Sequence, residues 1–316
     1  MPSESPRSPL DELKTVRDWL RYAVTCMTRA GLIYGHGTDN AVDEAAFLIL
    51  STLDLPIEDI NPWLDCRLTA AERDNVEFVI STRIETRKPA AYLTNAAYIQ
   101  GRKFYVDERV IVPRSLIGEL LADDHLSTIV ANANGITRVL DLCTGSGCLA
   151  ILAAEAFPNA KIDAVDISED ALAVAHRNIR DYRLESRVRA LKSDLFGSLP
   201  PERYDVIISN PPYVTAESVA AFPPEYKAEP KLAHLGGADG LDLVRRILDE
   251  APRWLAPKGS LIVEIGEAQK DLEAARPDLP FLWLDTETSK GEIFALFAED
   301  LTAGTSEGKR RGNARR

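Results

Sequence analysis

The sequence predicts an α/β fold in which a mostly parallel sheet carries helices on both faces, preceded by a small helical domain. From residue 136 onward, short runs rich in Val, Ile and Leu alternate with amphipathic stretches of helix length. Before residue 89, apolar residues instead recur at spacings of three and four, as they do on one face of a helix. A β-hairpin is predicted to connect the two parts.

Composition places the chain among soluble globular proteins. Its 316 residues suffice for one large or two ordinary domains, and 45% of them are hydrophobic while 27% are charged. We expect no membrane partner, because no apolar run approaches roughly 20 residues, and the first nine residues lack the apolar core of a signal peptide. Four cysteines without a Cys-x-x-Cys pair disfavour a metal site and predict a reducing, cytoplasmic compartment. With only four histidines, His36 in its turn-rich loop is predicted to be a surface residue rather than a ligand.

A disordered lead, residues 1–9, is predicted to precede a helical substrate-recognition domain, residues 10–88. Two amphipathic stretches, residues 43–53 and 69–86, follow the first helix, and the second begins with the capping box Thr69-Ala-Ala-Glu72. The first helix is marked by a stripe of apolar residues: Leu13, Val16, Trp19, Leu20, Val24 and Met27.

The connector, residues 89–134, is predicted to hold a hairpin and a linker helix, and residues 135–300 are predicted to form the α/β domain. Residues 89–113 look like strands, with segments 98–100, 104–106 and 110–112 around a turn at Gly101. In the α/β domain the predicted strands are 138–142, 161–165, 188–191, 204–209, 260–265, 281–284 and 293–297, and the predicted helices are 148–156, 169–182 and 241–254.

Residues 139–147, Val-Leu-Asp-Leu-Cys-Thr-Gly-Ser-Gly, are predicted to form a strand, a tight turn and the start of a helix. Gly145 and Gly147 allow the backbone to approach a ligand, and the helix start offers free N–H groups. The third glycine of a dinucleotide motif and the lysine of a phosphate loop are both missing. Asp141 would repel a pyrophosphate and attract a cation, so a cationic ligand is predicted; the alternative is an unrelated α/β protein with a glycine turn.

Two further acidic residues follow the next strands. Asp166 ends the second strand, and its carboxylate can accept hydrogen bonds from a ribose diol. Ser193-Asp194-Leu195 ends the third, where a polar contact to an adenine amino group beside an apolar wall is predicted. A ligand with a ribose, an adenine and a cationic end but no phosphate is S-adenosylmethionine. Ligands of such sheets bind outside the carboxyl ends of the strands, where all these features are expected to lie.

The tetrapeptide Asn210-Pro-Pro-Tyr213 follows the apolar run 204–209. Pro211 and Pro212 fix φ at about −65° and remove two N–H donors, which leaves carbonyl acceptors beside the amide oxygen of Asn210. Tyr213 offers a flat ring or a hydroxyl. Such a site suits the planar NH2 group of an amide or of an exocyclic amine; alternatively, the tetrapeptide is a turn that ends a strand.

On these motifs the chain resembles the class I S-adenosylmethionine-dependent methyltransferases that methylate a protein glutamine on its side-chain amide, over residues 15–300. It is most similar to their ribosomal-protein branch, whose substrate is protein L three of the large subunit; the sister branch acts on peptide-chain release factors. Pro113-Arg-Ser-Leu-Ile-Gly-Glu119 departs from the Pro-Arg-Pro-Glu/Asp-Thr-Glu of the release-factor branch. The segments that favour the ribosomal branch are 34–40, 91–95, 104–115 and 141–148.

The resemblance implies a Rossmann-like sheet of seven strands and a role for each motif. Asp166 holds the ribose hydroxyls, Asp194 and Leu195 border the adenine, and Pro113 and Arg114 belong to the segment that closes over the site. The methionine and ribose part of the cofactor is lined by Asp141, Cys143, Thr144, Gly145, Ser146 and Gly147. The glutamine amide is held by the catalytic corner Asn210, Pro211, Pro212 and Tyr213, of which Asn210 also contacts the cofactor. Glu229 has no predicted role.

The predicted reaction moves a methyl group from a sulfonium to an amide nitrogen. That nitrogen is a poor nucleophile because its lone pair is delocalised, so the site must aim it at the methyl group at roughly 3–3.5 Å. Acceptors at Asn210 Oδ1 and the Pro211 carbonyl stabilise the positive charge that grows on nitrogen. No dedicated general base is predicted, because a methylated cationic amide loses its proton readily.

The net charge of −12 is unevenly distributed. The last eight residues carry five positive charges, so the preceding 308 sum to −12 − 5 = −17. An acidic body opposes wide contact with nucleic acid, which disfavours an adenine amino-methyltransferase, and suits a basic ribosomal protein as partner. Residues 301–316 are predicted to be a disordered basic tail that could touch RNA. A nucleotide-binding module without chemistry predicts a damaged cofactor turn or a lost Asn210, and the sequence has neither.

Overall fold

The computed structural model describes residues 9–122 and 124–301, which form two compact units. The first unit comprises the chain through Ala96 together with residues 222–228, which we call the strap; the second comprises Ala97–Ala221 and the chain from Glu229. Residues 1–8 of the predicted lead and 302–316 of the predicted tail lie outside the described residues. None of the described helices is long and apolar enough to cross a lipid bilayer.

Among its described residues, the first unit contains four α-helices: α1 (Val16–Arg29), α2 (Ala41–Thr52), α3 (Ala70–Thr86) and α4 (Ala90–Thr94). The capping box of α3 is confirmed, because Thr69 Oγ1 accepts from the Glu72 N–H while the Glu72 carboxylate accepts from the Thr69 N–H at 2.7 Å. The same box opens α1 and was not predicted. Trp19, Met27, Leu48, Ile49 and Ile80 are among the buried residues of the unit's apolar core.

The strap is held in the first unit by a buried carboxylate. Glu225 accepts hydrogen bonds from the Ile33 N–H at 3.1 Å and from Arg87 Nη1 at 2.9 Å, and its side chain is fully buried. The ring of Tyr226 lies 4.2 Å from that of His36, centroid to centroid. His36 is therefore only 4% exposed, and its prediction as a surface residue was wrong. A contact between residues 190 apart in the chain leaves no local pattern that would reveal it.

The second unit contains a hairpin and a seven-stranded sheet. The hairpin strands are β1 (Ala97–Ile99) and β2 (Arg102–Phe104). The sheet strands are β3 (Arg138–Leu142), β4 (Lys161–Asp166), β5 (Val188–Lys192), β6 (Tyr204–Ser209), β7 (Leu255–Glu264), β8 (Leu282–Leu284) and β9 (Ile293–Phe297). Their order is β5-β4-β3-β6-β7-β9-β8, with β9 antiparallel to both of its neighbours and the other pairs parallel. The predicted α/β class, with seven mostly parallel strands, is confirmed.

Helices connect these strands and cover both faces of the sheet. They are α5 (Ile117–Ala122), α6 (Cys148–Ala156), α7 (Glu169–Asp181), α8 (Ala216–Ala220), α9 (Asp242–Glu250) and α10 (Gln269–Ala275). Val139 and Val206 belong to one apolar cluster, whereas their neighbours Leu140 and Ile207 belong to a second. Successive side chains of a strand point to opposite faces, so the sheet is buried on both sides, as parallel sheets are.

The prediction of strands over residues 89–113 was partly wrong. Ala90–Thr94 is a short helix that begins after Pro89, and β2 ends at Phe104. The apolar segment 110–112 is not a strand, because the Val112 N–H donates to the Glu229 carboxylate at 2.9 Å instead of to a neighbouring strand. The other boundaries in the α/β domain agree within two residues, with two exceptions. Strand β7 begins at Leu255 rather than at residue 260, and the helix predicted over residues 241–254 ends at Glu250.

Candidate functional site

The carboxyl ends of β3, β4, β5 and β6 meet at a cavity of about 530 Å³ in the second unit. This volume is that of a typical small-molecule pocket. Seven residues that the sequence analysis assigned to the site line it: Cys143, Gly145, Asp166, Asp194, Leu195, Asn210 and Pro212. They converge because parallel strands in adjacent positions end at one edge of the sheet.

Asp166 is fixed in place at the end of β4. Its carboxylate accepts the Gly145 N–H and the Ser168 N–H, each at 2.9 Å, and burial raises its pKa above the ordinary value. The first bond ties the glycine turn after β3 to β4, and the second ties the start of α7 to it. An ionised carboxylate has about four lone-pair sites, so Asp166, which lines the cavity, retains acceptor capacity for a ligand hydroxyl.

Asp141 does not line the cavity but lies buried beneath the turn. Thr144 Oγ1 donates to its Oδ2 at 2.5 Å, whereas Oδ1 has no hydrogen-bond partner among the described residues. Burial raises the pKa of Asp141 to about 7. A neutral or half-ionised acid with an unsatisfied buried oxygen is the kind of group that a cation above the turn would stabilise as a carboxylate.

The rest of the turn shapes the pocket from behind. Thr144, Ser146 and Gly147 were predicted to touch the cofactor, but they do not line the cavity. The Thr144 N–H donates to the Val165 carbonyl at 2.9 Å, and the Ser146 carbonyl accepts from Asn178 Nδ2 at 2.8 Å. These bonds fix the turn against β4 and α7.

The corner Asn210–Tyr213 presents only part of itself to the cavity. Asn210 and Pro212 line it, while Pro211 is buried and Tyr213 is partly buried behind it, with its hydroxyl donating to Glu264 Oε1 at 3.3 Å. The segment Gly236–Gly240 packs directly on this corner. A Cβ atom on Gly236 would lie 2.7 Å from the Pro212 carbonyl oxygen, so only glycine permits this approach.

Glu229, which had no predicted role, joins two segments of the pocket wall. Its buried carboxylate accepts the Val112 N–H at 2.9 Å and Arg114 Nη2 at 3.1 Å, and His234 Nε2 lies 3.0 Å from its Oε2. Val110 and Ile111 line the cavity on one side of this junction, and the loop that begins at Pro230 lines it on the other. Arg114, predicted to bind substrate, is thus engaged by Glu229, and neither it nor Pro113 lines the cavity.

Several lining residues were missed by the sequence analysis. Arg109, Val110 and Ile111 lie about 30 residues before β3, where no motif marks them. The loop Pro230–Gly237 follows the strap and contributes exposed Leu232 and Leu235 to the wall. Arg246 of α9 pairs with Asp194 at 3.0 Å. Its place one turn after Asp242, which also lines the cavity, is a helical spacing that could have suggested it.

Comparison with known proteins gives the chain clear relatives. A family model described as a methyltransferase small domain matches residues 123–222. The ribosomal protein uL3 glutamine methyltransferase of Burkholderia pseudomallei is 53% identical over 92% of this chain and 96% of that protein. The proteins of the same name from Bradyrhizobium diazoefficiens and Neisseria gonorrhoeae are 53% and 54% identical, each over 92% of this chain and over 92% and 96% of their own lengths.

Proposed function

Because the chain belongs to the family of ribosomal protein uL3 glutamine methyltransferases, we propose that its own substrate is large-subunit ribosomal protein uL3 and that Asn210 holds the target glutamine. It is an S-adenosylmethionine-dependent protein-glutamine methyltransferase with a class I fold. The observation that carries the substrate proposal is the identity of more than half of the residues with relatives named for uL3, over 92% of the chain.

The residues of the cavity fit this cofactor. Asp166 offers carboxylate oxygens to a ribose diol, and Leu195 with Asp194 offers an apolar wall and a polar edge to an adenine. The unsatisfied oxygen of Asp141 beneath the glycine turn suits the cationic end. S-adenosylmethionine, when bound, supplies an electrophilic methyl group on a positively charged sulfur. The proposed contacts are to a ribose, an adenine and a cation, and none of them requires a phosphate group on the ligand.

Asn210 and the Pro211 carbonyl are proposed to hold the substrate. The amide Oδ1 of Asn210 and the proline carbonyl accept the two N–H bonds of the glutamine side chain, which orients its weakly nucleophilic nitrogen toward the cavity. As positive charge grows on that nitrogen, both contacts strengthen, so they stabilise the transition state more than the bound substrate. The two prolines offer no N–H that would compete for these acceptors.

The charge of the chain is consistent with a basic protein substrate. The first 308 residues sum to −17, and ribosomal proteins that contact RNA carry the opposite sign. We propose that the enzyme works in the cytoplasm, where such a substrate is made. We propose that docking of the protein substrate does not need the basic tail, residues 309–316. The tail could contact RNA, but methyl transfer does not require nucleic acid.

The test incubates the protein with methyl-labelled cofactor and separated ribosomal proteins, release factors and ribosomal RNA, and then identifies labelled glutamine by mass spectrometry. We expect label on uL3. Label on release factors alone would move the enzyme to the sister branch of the family, and label confined to RNA would overturn a protein substrate altogether.

Substitution of Asn210 tests the proposed role of the corner. In Asn210→Ala, we expect transfer to fall at least about 100-fold, because an acceptor for the developing charge is lost, while the Kd for the cofactor stays within about tenfold. The exposed Asn159→Ala serves as the matched control and should be fully active. Equal losses of cofactor binding and transfer in Asn210→Ala would mean that this residue serves the cofactor instead.

A further inference from the structure

A buried carboxylate stands behind the catalytic corner, outside the cavity itself. Glu264 ends β7 and is 1% exposed. Its Oε2 accepts from Ser115 Oγ at 2.6 Å and from the Leu116 N–H at 2.9 Å, and its Oε1 accepts from the Tyr213 hydroxyl at 3.3 Å. Three donors from two distant segments of the chain therefore meet on one side chain.

The donor set is matched to the ionised form of Glu264. An ionised carboxylate only accepts hydrogen bonds, so it satisfies a hydroxyl, a backbone N–H and a phenol at once. Protonation would add a fourth hydrogen to this group and force one of the three contacts to turn or break. A buried carboxylate is costly unless it is hydrogen-bonded, and these three donors offset that cost.

The ring of Tyr213 is held on a second side by Gly266. This residue has φ of 56°, and a Cβ atom placed on it would lie 2.8 Å from Cε2 of the tyrosine. The ring thus rests directly on the backbone at Gly266 while its hydroxyl is held by Glu264, two residues earlier. Tyr213 directly follows Pro212, which lines the cavity, so these contacts anchor the chain next to the cavity wall.

We propose that Glu264, held by Ser115, is a positioning residue for methyl transfer, acting through Tyr213 to fix the Asn210–Tyr213 corner in the orientation that receives the glutamine amide. The proposal rests on the function proposed above, because it assigns Glu264 a part in that reaction. Glu264 touches neither the cavity nor any reacting atom, so its effect is on geometry and not on chemistry.

Burial has the largest effect on the pKa of Tyr213 and raises it; the charge of Glu264 raises it further, Arg114 lowers it and Glu292 raises it. For Glu264, burial raises the pKa to about 7, against the opposing effects of its hydrogen bonds from Ser115, from the Leu116 N–H and from Tyr213. Glu264 therefore loses its proton as pH rises through about 7, and the ionised form is the one that can accept all three hydrogen bonds.

The test compares Glu264→Gln, Tyr213→Phe and the double variant, with Glu267→Gln, an exposed residue three positions on, as the matched control. A glutamine at 264 replaces one acceptor oxygen with an NH2 donor and opposes the donors around it. We expect kcat to fall roughly 10- to 100-fold, as for a small misplacement of substrate, with KM for the protein substrate and Kd for the cofactor within about threefold. The double variant should be no slower than Glu264→Gln, because both changes break one link.

Two readouts separate positioning from a merely structural role. In the wild type, kcat should decline below about pH 7, and Glu264→Gln should flatten that decline. NMR of ¹³C-labelled tyrosine rings should show the Tyr213 signal shifting with pH near 7 in the wild type but not in Glu264→Gln. This signal is independent of the substrate, so it still reports if uL3 proves to be the wrong substrate.

Three outcomes would overturn the proposal. They are a kcat of Glu264→Gln within about twofold of wild type, rate losses in the two single variants that multiply in the double variant, and a Tyr213 signal indifferent to Glu264. If the wild type labels no glutamine while the Tyr213 signal still follows Glu264, the proposed function fails and the link between the two residues stands.

Discussion

Buried carboxyl groups in this protein differ in what holds them. Asp141 is bonded by the neutral hydroxyl of Thr144, and burial raises its pKa to about 7. Asp163, by contrast, accepts from Arg189 and Arg138, and its pKa is lowered even though burial opposes this. The difference separates a carboxylate that is stabilised by fixed cations from one whose partner is proposed to arrive with the cofactor.

Asp141 should make the apoprotein less stable as pH rises. Its folded pKa of about 7 lies above the ordinary value of 3.8, so the folded state binds the proton more tightly. Its contribution to the free energy of unfolding is complete below about pH 4 and is lost as pH rises through about 7. Asp141→Asn removes this pH dependence. As pH rises from about 4 to about 7, the free energy of unfolding of the variant should therefore increase by on the order of 4 kcal/mol relative to that of wild type. Urea unfolding without cofactor, at several pH values, measures it.

The matched variant is Asp163→Asn. The pKa of Asp163 is lowered in the folded state, so its effect on the pH dependence of stability has the opposite sign. Its contribution to the free energy of unfolding is present above the unfolded pKa and is lost as pH falls. A free energy difference between wild type and Asp141→Asn that is constant from pH 4 to 7 would show that burial does not govern this residue. Saturating cofactor should lessen the effect of Asp141, since a bound cation lowers its pKa.

At the scale of elements, the loop after the strap is held by one carboxylate. Glu229 accepts hydrogen bonds from Val112 and Arg114. Residues next to these partners, Val110 and Ile111, line the cavity, and so do residues of the loop that begins at Pro230. The loop then folds back so that Gly236 packs on the corner at Pro212. One side chain therefore sets the course of two segments of wall, neither of which belongs to a strand or to a helix of more than one turn.

The prediction compares Glu229→Gln with Glu225→Gln. Both carboxylates are fully buried and paired with an arginine that is 31% exposed, so both variants should lose about 3 kcal/mol of unfolding free energy. Only Glu229→Gln should weaken cofactor binding, by roughly tenfold, because Glu229 bonds to the segment that follows the lining residues Val110 and Ile111, whereas Glu225 bonds to Ile33 and Arg87 of the first unit. Calorimetric titration of cofactor into both variants decides it; equal affinities would show that the wall keeps its shape without Glu229.

Sequence reasoning was successful where structure is local. The bounds of β3, β6 and β9 and the box at Thr69 follow from patterns within a few residues, and the gathering of Asp166, Asp194 and Asn210 follows from parallel strands that end at one edge. It failed where partners are remote. Segment 110–112 has the composition of a strand, yet its N–H at Val112 is taken by a carboxylate 117 residues later.

At the scale of the whole molecule, two features depend on the entire chain. The strap lies in the sequence between two parts of the second unit, yet it belongs to the first unit. No local sequence pattern predicts this. The other is the charge, which is legible from composition alone. The net charge of −17 on the first 308 residues does not determine the fold. It affects solubility and which partners associate with the enzyme.

Docking of a basic substrate onto this acidic body should depend on salt, whereas the chemistry inside the cavity should not. Raising NaCl from about 50 to about 500 mM shortens the screening length from over 10 Å to under 5 Å, and we expect KM for uL3 to rise roughly tenfold while kcat stays within about twofold. A variant truncated after Leu301 loses the five positive charges of the last eight residues and one negative charge, Glu307, so its KM should be equal or lower at low salt. Steady-state kinetics on purified uL3 at each salt concentration measures both effects. A KM indifferent to salt would mean that apolar contacts, not charge, recruit the substrate, and a KM raised by truncation would assign the tail to substrate binding.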